Sequence, residues 1–260
     1  MLKIQDSHSY AMKEFHSLKV ELDMLNVHVI PAEDSQELKL VLHGKALQGL
    51  RLVSAIDNHT LVVGIERKSF FPLYEAVVLD IYCPPAQMAM LAIHLSTGKL
   101  EAERLAANTI DLRTSTGNIS IGTLEADTIV IKGASSAIKI GQYHARNTEI
   151  ETSTGSITLD SGCGSLNVRS SSGKVHVACN KVEDQNLALT TTTGSIRLQL
   201  PGDTEFMLQA GTRTGSIHSD FPVDTAWNTG NKQLKGGTGA NTNTVTLKST
   251  TGSIKLLKMA

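Results

Sequence analysis

Apolar and polar residues alternate along most of the chain. Between residues 91 and 258 the alternation is interrupted at regular intervals by a short Ser/Thr-rich corner that ends in Gly. Apolar residues stand seven and five positions before this Gly, and two and four positions after it. Alternation with a period of two on both sides of a turn predicts two short strands that bury one face. The corner Gly residues are Gly98, Gly117, Gly155, Gly173, Gly194, Gly215 and Gly252, with Ser136 in the same place in a degenerate copy.

The spacing of the corners indicates a stacked architecture. Successive corners lie 19, 19, 19, 18, 21, 21 and 37 residues apart. A unit of this length cannot bury its apolar face alone, whereas stacked copies form a continuous core. We therefore predict an all-β fold, a single-stranded parallel β-helix or β-solenoid, right-handed, with about 19–21 residues in each coil. The last interval is close to two periods and predicts a coil that has lost its corner motif.

The position three residues before the corner Gly carries a hydroxyl group in most copies, and the alternation points it inward. Stacked Ser and Thr side chains can satisfy backbone groups at the corner, and Gly permits a positive φ there. We interpret the corner as a folding device and not as a binding site. The hydroxyl residues are Thr114, Thr152, Ser170, Thr191, Thr212 and Ser249.

The two ends of the chain depart from the repeat. Residues 1–90 lack the corner but keep the alternation of strands, which predicts a β-rich N-terminal cap continuous with a solenoid over 91–260. Residues 220–244 break the repeat, contain the single Trp and end in a Gly-rich stretch. That stretch lacks the Gly-Lys-Ser/Thr of a phosphate-binding loop. An irregular flap is expected over 220–244.

Composition narrows the classes of partner. The net charge is −1 and aromatic residues make up 4%, so there is no specific signal for nucleic acid and no basis for a large aromatic-lined pocket. Cys83, Cys163 and Cys179 have no CxxC spacing, which predicts three unpaired thiols and no zinc site. The sequence shows neither a membrane-length apolar run nor a secretory signal. We expect a cytoplasmic location, or an exported or envelope-associated one if the sequence is part of a longer chain.

Parallel β-helices also carry polysaccharide-active enzymes, which need carboxylates clustered on neighbouring coils. Asp111 and Glu149 share an offset from the corner, but Val130 stands between them. We therefore predict no catalytic, cofactor-binding or metal-binding residues, and no enzyme. Four histidines without a second His at metal-binding spacing are interpreted as solvent-facing strand residues: His94, His144, His176 and His218.

Two outward-facing positions, four before and three after the corner Gly, are rich in cations and poor in carboxylates. Neighbouring coils bring these like charges close together, where they repel unless solvent or a bound anion matches them. One interpretation is a solvated face that discourages edge pairing. The other is a docking face for an anionic polymer or an acidic protein surface. This predicted basic stripe comprises Arg113, Lys132, Lys139, Arg169, His176, Arg197, His218, Lys248 and Lys255.

Three segments carry a resemblance to a known family. The first is the unit Thr-Ser-Thr-Gly-Xaa-Ile-Xaa-Ile/Leu at 114–121 and 152–159, the second is 215–223, and the third is 236–239 followed by 245–254. The chain resembles the bacterial putative-adhesin β-solenoid family, domains of unknown function related to auto-transporter-adhesin heads. The resemblance covers roughly residues 90–258. It implies a structural or binding protein, and it implies no enzymatic activity or catalytic residue.

The function predicted from the sequence is therefore a non-enzymatic, adhesin-like interaction protein that presents a repetitive face to a polymer or protein partner. The alternative is a cytoplasmic scaffold that self-associates as a homo-oligomer through its solenoid ends, because open strand edges invite pairing. A polysaccharide-active β-helix enzyme is disfavoured because its clustered carboxylates are missing from the pattern.

Overall fold

The computed structural model describes residues 2–33, 35–46, 49–67, 74–84, 88–223, 225–228, 231–238 and 243–259. Over these residues the chain is all-β, as predicted, and its one helical turn is a 3₁₀ turn at Met12–Glu14. The chain divides into two compact units, Met1–Asp127 and Thr128–Ala260. The cap boundary at residue 90 stays a prediction, as does the hand of the coiling.

The first unit contains nine complete strands whose buried positions alternate with exposed ones. Branched and aliphatic side chains fill the inward positions, as strands prefer. The strands are β1 (Leu2–Ala11), β2 (Ser17–Met24), β3 (Asn26–Pro31), β4 (Glu37–Ala46), β5 (Leu50–Asp57), β6 (Thr60–Arg67), β7 (Tyr74–Cys83), β8 (Met88–Thr97) and β9 (Leu100–Thr116); β10 (Ile119–Ser135) contains the boundary between the units.

In the first unit, the earliest parallel segment lies between two later ones. β2 pairs in parallel with β8 on one side, where Leu18 faces Leu91, and with β6 on the other, where Leu18 faces Leu61. β3 lies in the same way between β9 and β7. Antiparallel strands then cover this stack: β5 pairs with β6, β4 with β7, and β1 with β4.

The second unit contains the end of β10 and eleven further strands. They are β11 (Ile138–Thr154), β12 (Ile157–Ser172), β13 (Val175–Ala178), β14 (Asn186–Thr193), β15 (Ile196–Leu200), β16 (Phe206–Thr214), β17 (Ile217–Ser219), β18 (Thr225–Asn228), β19 (Asn231–Thr238), β20 (Thr244–Thr251) and β21 (Ile254–Lys258).

Parallel pairing in the second unit first follows the sequence. Ile138 faces Ile157, Ile157 faces Val175, and Val175 faces Ile196, which are offsets of 19, 18 and 21 residues. Ile119 and these four residues are each no more than 1% exposed. The predicted burial of the position two residues after the corner is therefore confirmed at these five residues.

The last coil does not follow the sequence order. β20 pairs in parallel with β14 on one side and with β16 on the other, and β21 lies between β15 and β17. Ile254 consequently faces both Ile196 and Ile217. The prediction of a coil without a corner in the 37-residue interval is wrong, because the chain leaves the stack after β17 and returns to insert its final coil between two earlier ones.

The segment predicted as an irregular flap at 220–244 contains regular strands. β18 and β19 form an antiparallel hairpin, and β19 pairs with β16 from Phe206–Thr238 to Thr212–Lys232. This pairing covers the edge that β16 would otherwise leave open. Residues 224, 229–230 and 239–242 of the predicted flap lie outside the described residues.

The corner Gly residues are required by two independent features. All seven have φ between +135° and +157°, a region that side chains disfavour. A Cβ atom on any of them would lie 1.8–2.1 Å from a backbone carbonyl oxygen of the neighbouring coil. Three of the six inward hydroxyl groups donate to these same carbonyls: Ser249 Oγ to Gly194 O at 3.1 Å, Thr212 Oγ1 to Gly252 O at 3.0 Å and Thr152 Oγ1 to Ser136 O at 3.3 Å. The hydroxyl groups of Thr114, Ser170 and Thr191 are buried without a hydrogen-bond partner among the described residues. These contacts account for the corner as a folding device.

The degenerate corner shows how the repeat tolerates a non-glycine residue. Ser136 occupies the Gly place and is buried, while Gly133 occupies the place of the inward hydroxyl residue. A Cβ on Gly133 would lie 2.0 Å from Ser136 Oγ. The two residues have therefore exchanged roles, because the Ser136 side chain fills the space that Thr or Ser fills in other coils.

Candidate interaction face of the second unit

The position three residues after the corner builds one outward row across neighbouring strands. The insertion of the last coil sets its spatial order, which differs from the order in the sequence. From β12 to β17 the row contains Thr158, His176, Arg197, Lys255 and His218, each directly opposite the next. Lys139 precedes this row on β11, opposite Thr158.

Two cations at the centre of the row have no acidic neighbour. Arg197 and Lys255 are exposed and make no ion pair within the described part of the chain. His176 Nε2 lies 2.9 Å from Gln199 Oε1, and His218 Nε2 lies 3.0 Å from Asp220 Oδ1. Arg197 and Lys255 therefore form the core of an uncompensated positive patch.

Cations at the position four residues before the corner, unlike Arg197 and Lys255, are mostly paired with carboxylates. Lys132 Nζ lies 3.5 Å from Glu151 Oε2, and Arg169 Nη1 lies 3.1 Å from Glu151 Oε1 and 3.8 Å from Glu149 Oε1. In the first unit, Arg113 donates two hydrogen bonds to Asp111, which raise the pKa of Arg113. Carboxylates thus neutralise three members of the predicted basic stripe. Glu151 stands at the same position, four residues before a corner Gly, whereas Glu149 and Asp111 stand six residues before one.

Lys248 is the exception in that second row. It lies on β20 between Thr190 of β14 and Gly211 of β16, and neither neighbour carries a charge. Lys248 is exposed and has no acidic partner among the residues that the structure describes. Among the described members of the predicted basic stripe in the second unit, the cations without an acidic partner are consequently Lys139, Arg197, Lys248 and Lys255, which we call the basic face.

A groove of about 340 Å³ lies beside Lys248 over Gly211. Gly211 faces Lys248 on one side and Gln233 of β19 on the other. Gln209 and Arg213 also line the groove. The sequence pattern did not predict this groove, because residues 220–244 were expected to form an irregular flap. Gly211, in a column of mostly polar side chains, was the one signal for it.

The first unit holds a second concavity, a cavity of about 410 Å³. Its floor includes the buried side chains of Met88, Leu91 and Leu105. At its rim Arg104 Nη2 donates to Glu125 Oε2 at 2.7 Å. The cavity is mainly apolar at its base and has no uncompensated cation from the predicted stripe.

Several of the remaining titratable residues form ion-pair networks in the first unit, such as His28 and His43 with Asp80. In the portion of the chain that is described, no three His, Cys, Asp or Glu residues come together in a metal-binding arrangement. The three cysteines are unpaired, as predicted. Burial raises the pKa of the Cys83 and Cys179 thiols to about 11, which keeps them protonated near neutral pH. Of the four histidines predicted to face solvent, His144 and His218 are exposed, whereas His94 and His176 are half-buried.

No helix among the described residues has both the length and the apolar character needed to cross a bilayer.

A known structure shares this fold at low sequence identity, and others align with lower TM-scores. A putative adhesin from Bacteroides fragilis aligns with a TM-score of 0.54 and 15% identity over 98% of both chains. A putative adhesin from Parabacteroides distasonis aligns with a TM-score of 0.49 and 14% identity, over 98% of this chain and 97% of that one. A protein from the same species, described as a putative lipid binding protein, aligns with a TM-score of 0.39 and 13% identity, over 98% of this chain and 97% of that one.

Sequence comparison supplies the family. No curated protein matches the chain significantly. The model of the Toastrack DUF4097 family matches residues 15–257, which is nearly the whole sequence and spans strands of both units from β2 onward. The chain therefore belongs to the Toastrack DUF4097 family.

Proposed function

We propose that this protein is a non-enzymatic interaction module whose second unit binds an anionic polymer through the basic face. The observation that carries the proposal is the juxtaposition of Arg197 and Lys255 on directly paired strands, both exposed and without an acidic neighbour among the described residues. Adjacent strands lie about 4.8 Å apart, so these two like charges repel each other. A bound anion would relieve that repulsion.

The charge distribution of the second unit supports the same function. Thr158 and Thr190, which lie beside Lys139 and Lys248, carry no charge that could neutralise them. An uncompensated positive face attracts polyanions even in a chain whose net charge is close to zero. The Bacteroides fragilis neighbour is described as a putative adhesin, which is in keeping with a binding role.

Retention on immobilised dextran sulfate at low ionic strength tests the proposal. The wild type should be retained and should elute at moderate salt, because exposed charges are screened as salt rises. The double variant Arg197→Gln/Lys255→Gln should elute at clearly lower salt. The matched control is Lys132→Gln/Arg169→Gln, which removes the same net charge from cations that Glu151 already neutralises.

The outcomes separate a specific face from general charge. Equal losses in the two double variants would show that net charge alone governs retention, and the basic face would be rejected. Flow-through of the wild type at low salt would reject polyanion binding altogether.

The edge strand β5 of the first unit argues against the self-associating scaffold at that edge. Backbone groups of β5 are already occupied by side chains of β1: the Leu52 N–H donates to Asp6 Oδ2 at 3.0 Å, and Tyr10 Oη donates to Ser54 O at 3.1 Å. Occupied edge groups cannot template a second chain. Sedimentation velocity over a range of concentrations should therefore show no polymer series, and the appearance of one would favour the scaffold.

A further inference from the structure

Gly211 occupies an outward position in the middle of three paired strands. Lys248 of β20 lies directly across from it on one side, and Gln233 of β19 on the other. The missing side chain opens the groove of about 340 Å³, which is also lined by Gln209, Arg213 and Thr250. The groove is a surface depression over a sheet whose backbone is paired on both sides.

The fold does not require Gly at this position. Gly211 has no positive φ, unlike the corner residues. A Cβ atom there would lie 3.8 Å from Lys232 O and 4.0 Å from Gln233 Cγ, which are ordinary contact distances. Gly in a strand interior costs about 0.5–1 kcal/mol relative to Ala. The glycine thus keeps a space open that a side chain could fill without backbone strain.

The lining of the groove suits a ligand with both hydroxyl groups and negative charge. The side-chain amides of Gln209 and Gln233 can each donate and accept hydrogen bonds. Lys248 and Arg213 are exposed cations, and no carboxylate lines the groove. Two amides and two cations around Gly211 match a sugar ring that carries a carboxylate or sulfate group.

Other macromolecular ligands fit the groove less well. A peptide strand cannot add to β16, because β20 and β19 already pair with both of its edges. The lining has no aromatic side chain on which a nucleic-acid base could stack. It also lacks the aromatic anchors that dominate protein–protein contacts.

We propose that the Gly211 groove is a subsite for one acidic sugar residue of an anionic polysaccharide. This inference rests on the proposed function and specifies its ligand class. Lys248 and Arg213 would bind the acidic group of the sugar, while Gln209 and Gln233 would bind its ring hydroxyls. Arg197 and Lys255 would contact further charges along the same polymer.

Filling the groove tests the subsite. Gly211→Val should preserve or raise the melting temperature, because a β-branched residue suits a strand. It should also weaken the binding of a galacturonic acid hexamer at least about tenfold, measured by isothermal titration calorimetry at low salt. The matched control is Gly64→Val in β6, another strand glycine with a 3.8 Å clearance at Cβ, which should leave binding unchanged.

The results distinguish this inference from the proposed function. If the wild type is retained on dextran sulfate but Gly211→Val binds the hexamer as tightly as the wild type, the subsite is overturned and polyanion binding stands. If poly-glutamate binds as tightly as the hexamer and is equally weakened by Gly211→Val, the saccharide assignment is overturned. The subsite is supported if the wild type binds the hexamer more tightly than poly-glutamate and this preference is lost in Gly211→Val but kept in Gly64→Val.

Discussion

The two units build their terminal coils in the same way but carry opposite charges. In the first unit, β2 and β3 lie between segments that come later in the chain; in the second, β20 and β21 lie between segments that come earlier. Yet the first unit has 16 acidic and 11 basic residues, a net charge of −5, and the second has 9 acidic and 13 basic residues, a net charge of +4. The net charge of the whole chain is close to zero only because the opposite charges of the two units nearly cancel.

The outward cross-strand positions illustrate the difference. In the first unit, His28 lies between carboxylates, with Nδ1 3.2 Å from Asp80 Oδ1 and Nε2 3.6 Å from Glu101 Oε2. In the second unit, Arg197 and Lys255 face each other without a carboxylate. Inward columns thus set a common fold, while outward residues, which do not affect core packing, are left to determine what each surface attracts.

The largest expected effect tests whether the two cores obey the same rule. Ile157→Lys in the second unit and Leu112→Lys in the first should each lower the free energy of unfolding by about 3–5 kcal/mol, because both residues are fully buried and the new charge would have no partner. Urea unfolding followed by circular dichroism measures the loss. Thr158→Lys, on the outward side of the same strand, should change stability little. If Leu112→Lys lowered the free energy of unfolding only slightly while Ile157→Lys lowered it by the expected amount, the two cores would not follow the same rule.

The second prediction concerns the corners. Gly155→Ala and Gly117→Ala should each cost about 1–3 kcal/mol, since both positions have positive φ and a neighbouring carbonyl oxygen within 2.0 Å of the new Cβ. Gly211→Ala, at an unstrained position, should instead stabilise the protein by about 0.5–1 kcal/mol. Thermal unfolding gives the order. Equal effects at all three glycines would contradict the distinction between corner and groove.

The third prediction converts the degenerate corner into the form found in the first unit, where Thr114 and Gly117 occupy the two positions. Gly133→Thr alone should clash with Ser136, and Ser136→Gly alone should leave a void. The double variant should recover much of the loss, with a coupling free energy of about 1 kcal/mol or more. Additive single effects in a double-mutant cycle would show that the two residues do not compensate each other.

The smallest expected effect is electrostatic and confined to the first unit. Burial would raise the pKa of Asp111, but the hydrogen bonds from Arg113 and the nearby His94 outweigh it and lower the pKa. A carboxyl whose pKa is lowered on folding contributes stability above its unfolded pKa and loses it as pH falls through the folded value. Asp111→Asn should therefore cost up to about 1 kcal/mol at pH 7.

The pH dependence distinguishes that ion pair from a general loss of charge. The stability difference between Asp111→Asn and the wild type should shrink as pH falls below about 4. Glu103→Gln, an exposed change on the same strand, provides the control. A difference that is constant between pH 7 and pH 3 would mean that the pair contributes no free energy.

The corner repeat and its four apolar columns were sufficient to predict an all-β fold and which side chains are buried. This worked because strand alternation ties each position to one face, and because a corner that needs Gly leaves a clear signal. The same pattern placed the cations of the basic stripe on outward positions. It could not show that Glu151 neutralises Lys132 and Arg169, since that depends on how three strands lie side by side.

The order of the coils was decided by the tertiary structure alone. Every coil presents nearly the same apolar columns to its neighbours, so the sequence specifies how a coil pairs but not which coil it pairs with. Only the folded chain places Lys255 beside Arg197, and only the return of β19 onto β16 brings Gln233 opposite Gly211. The residues of the candidate site were thus visible in the sequence, whereas their grouping was fixed by long-range strand pairing.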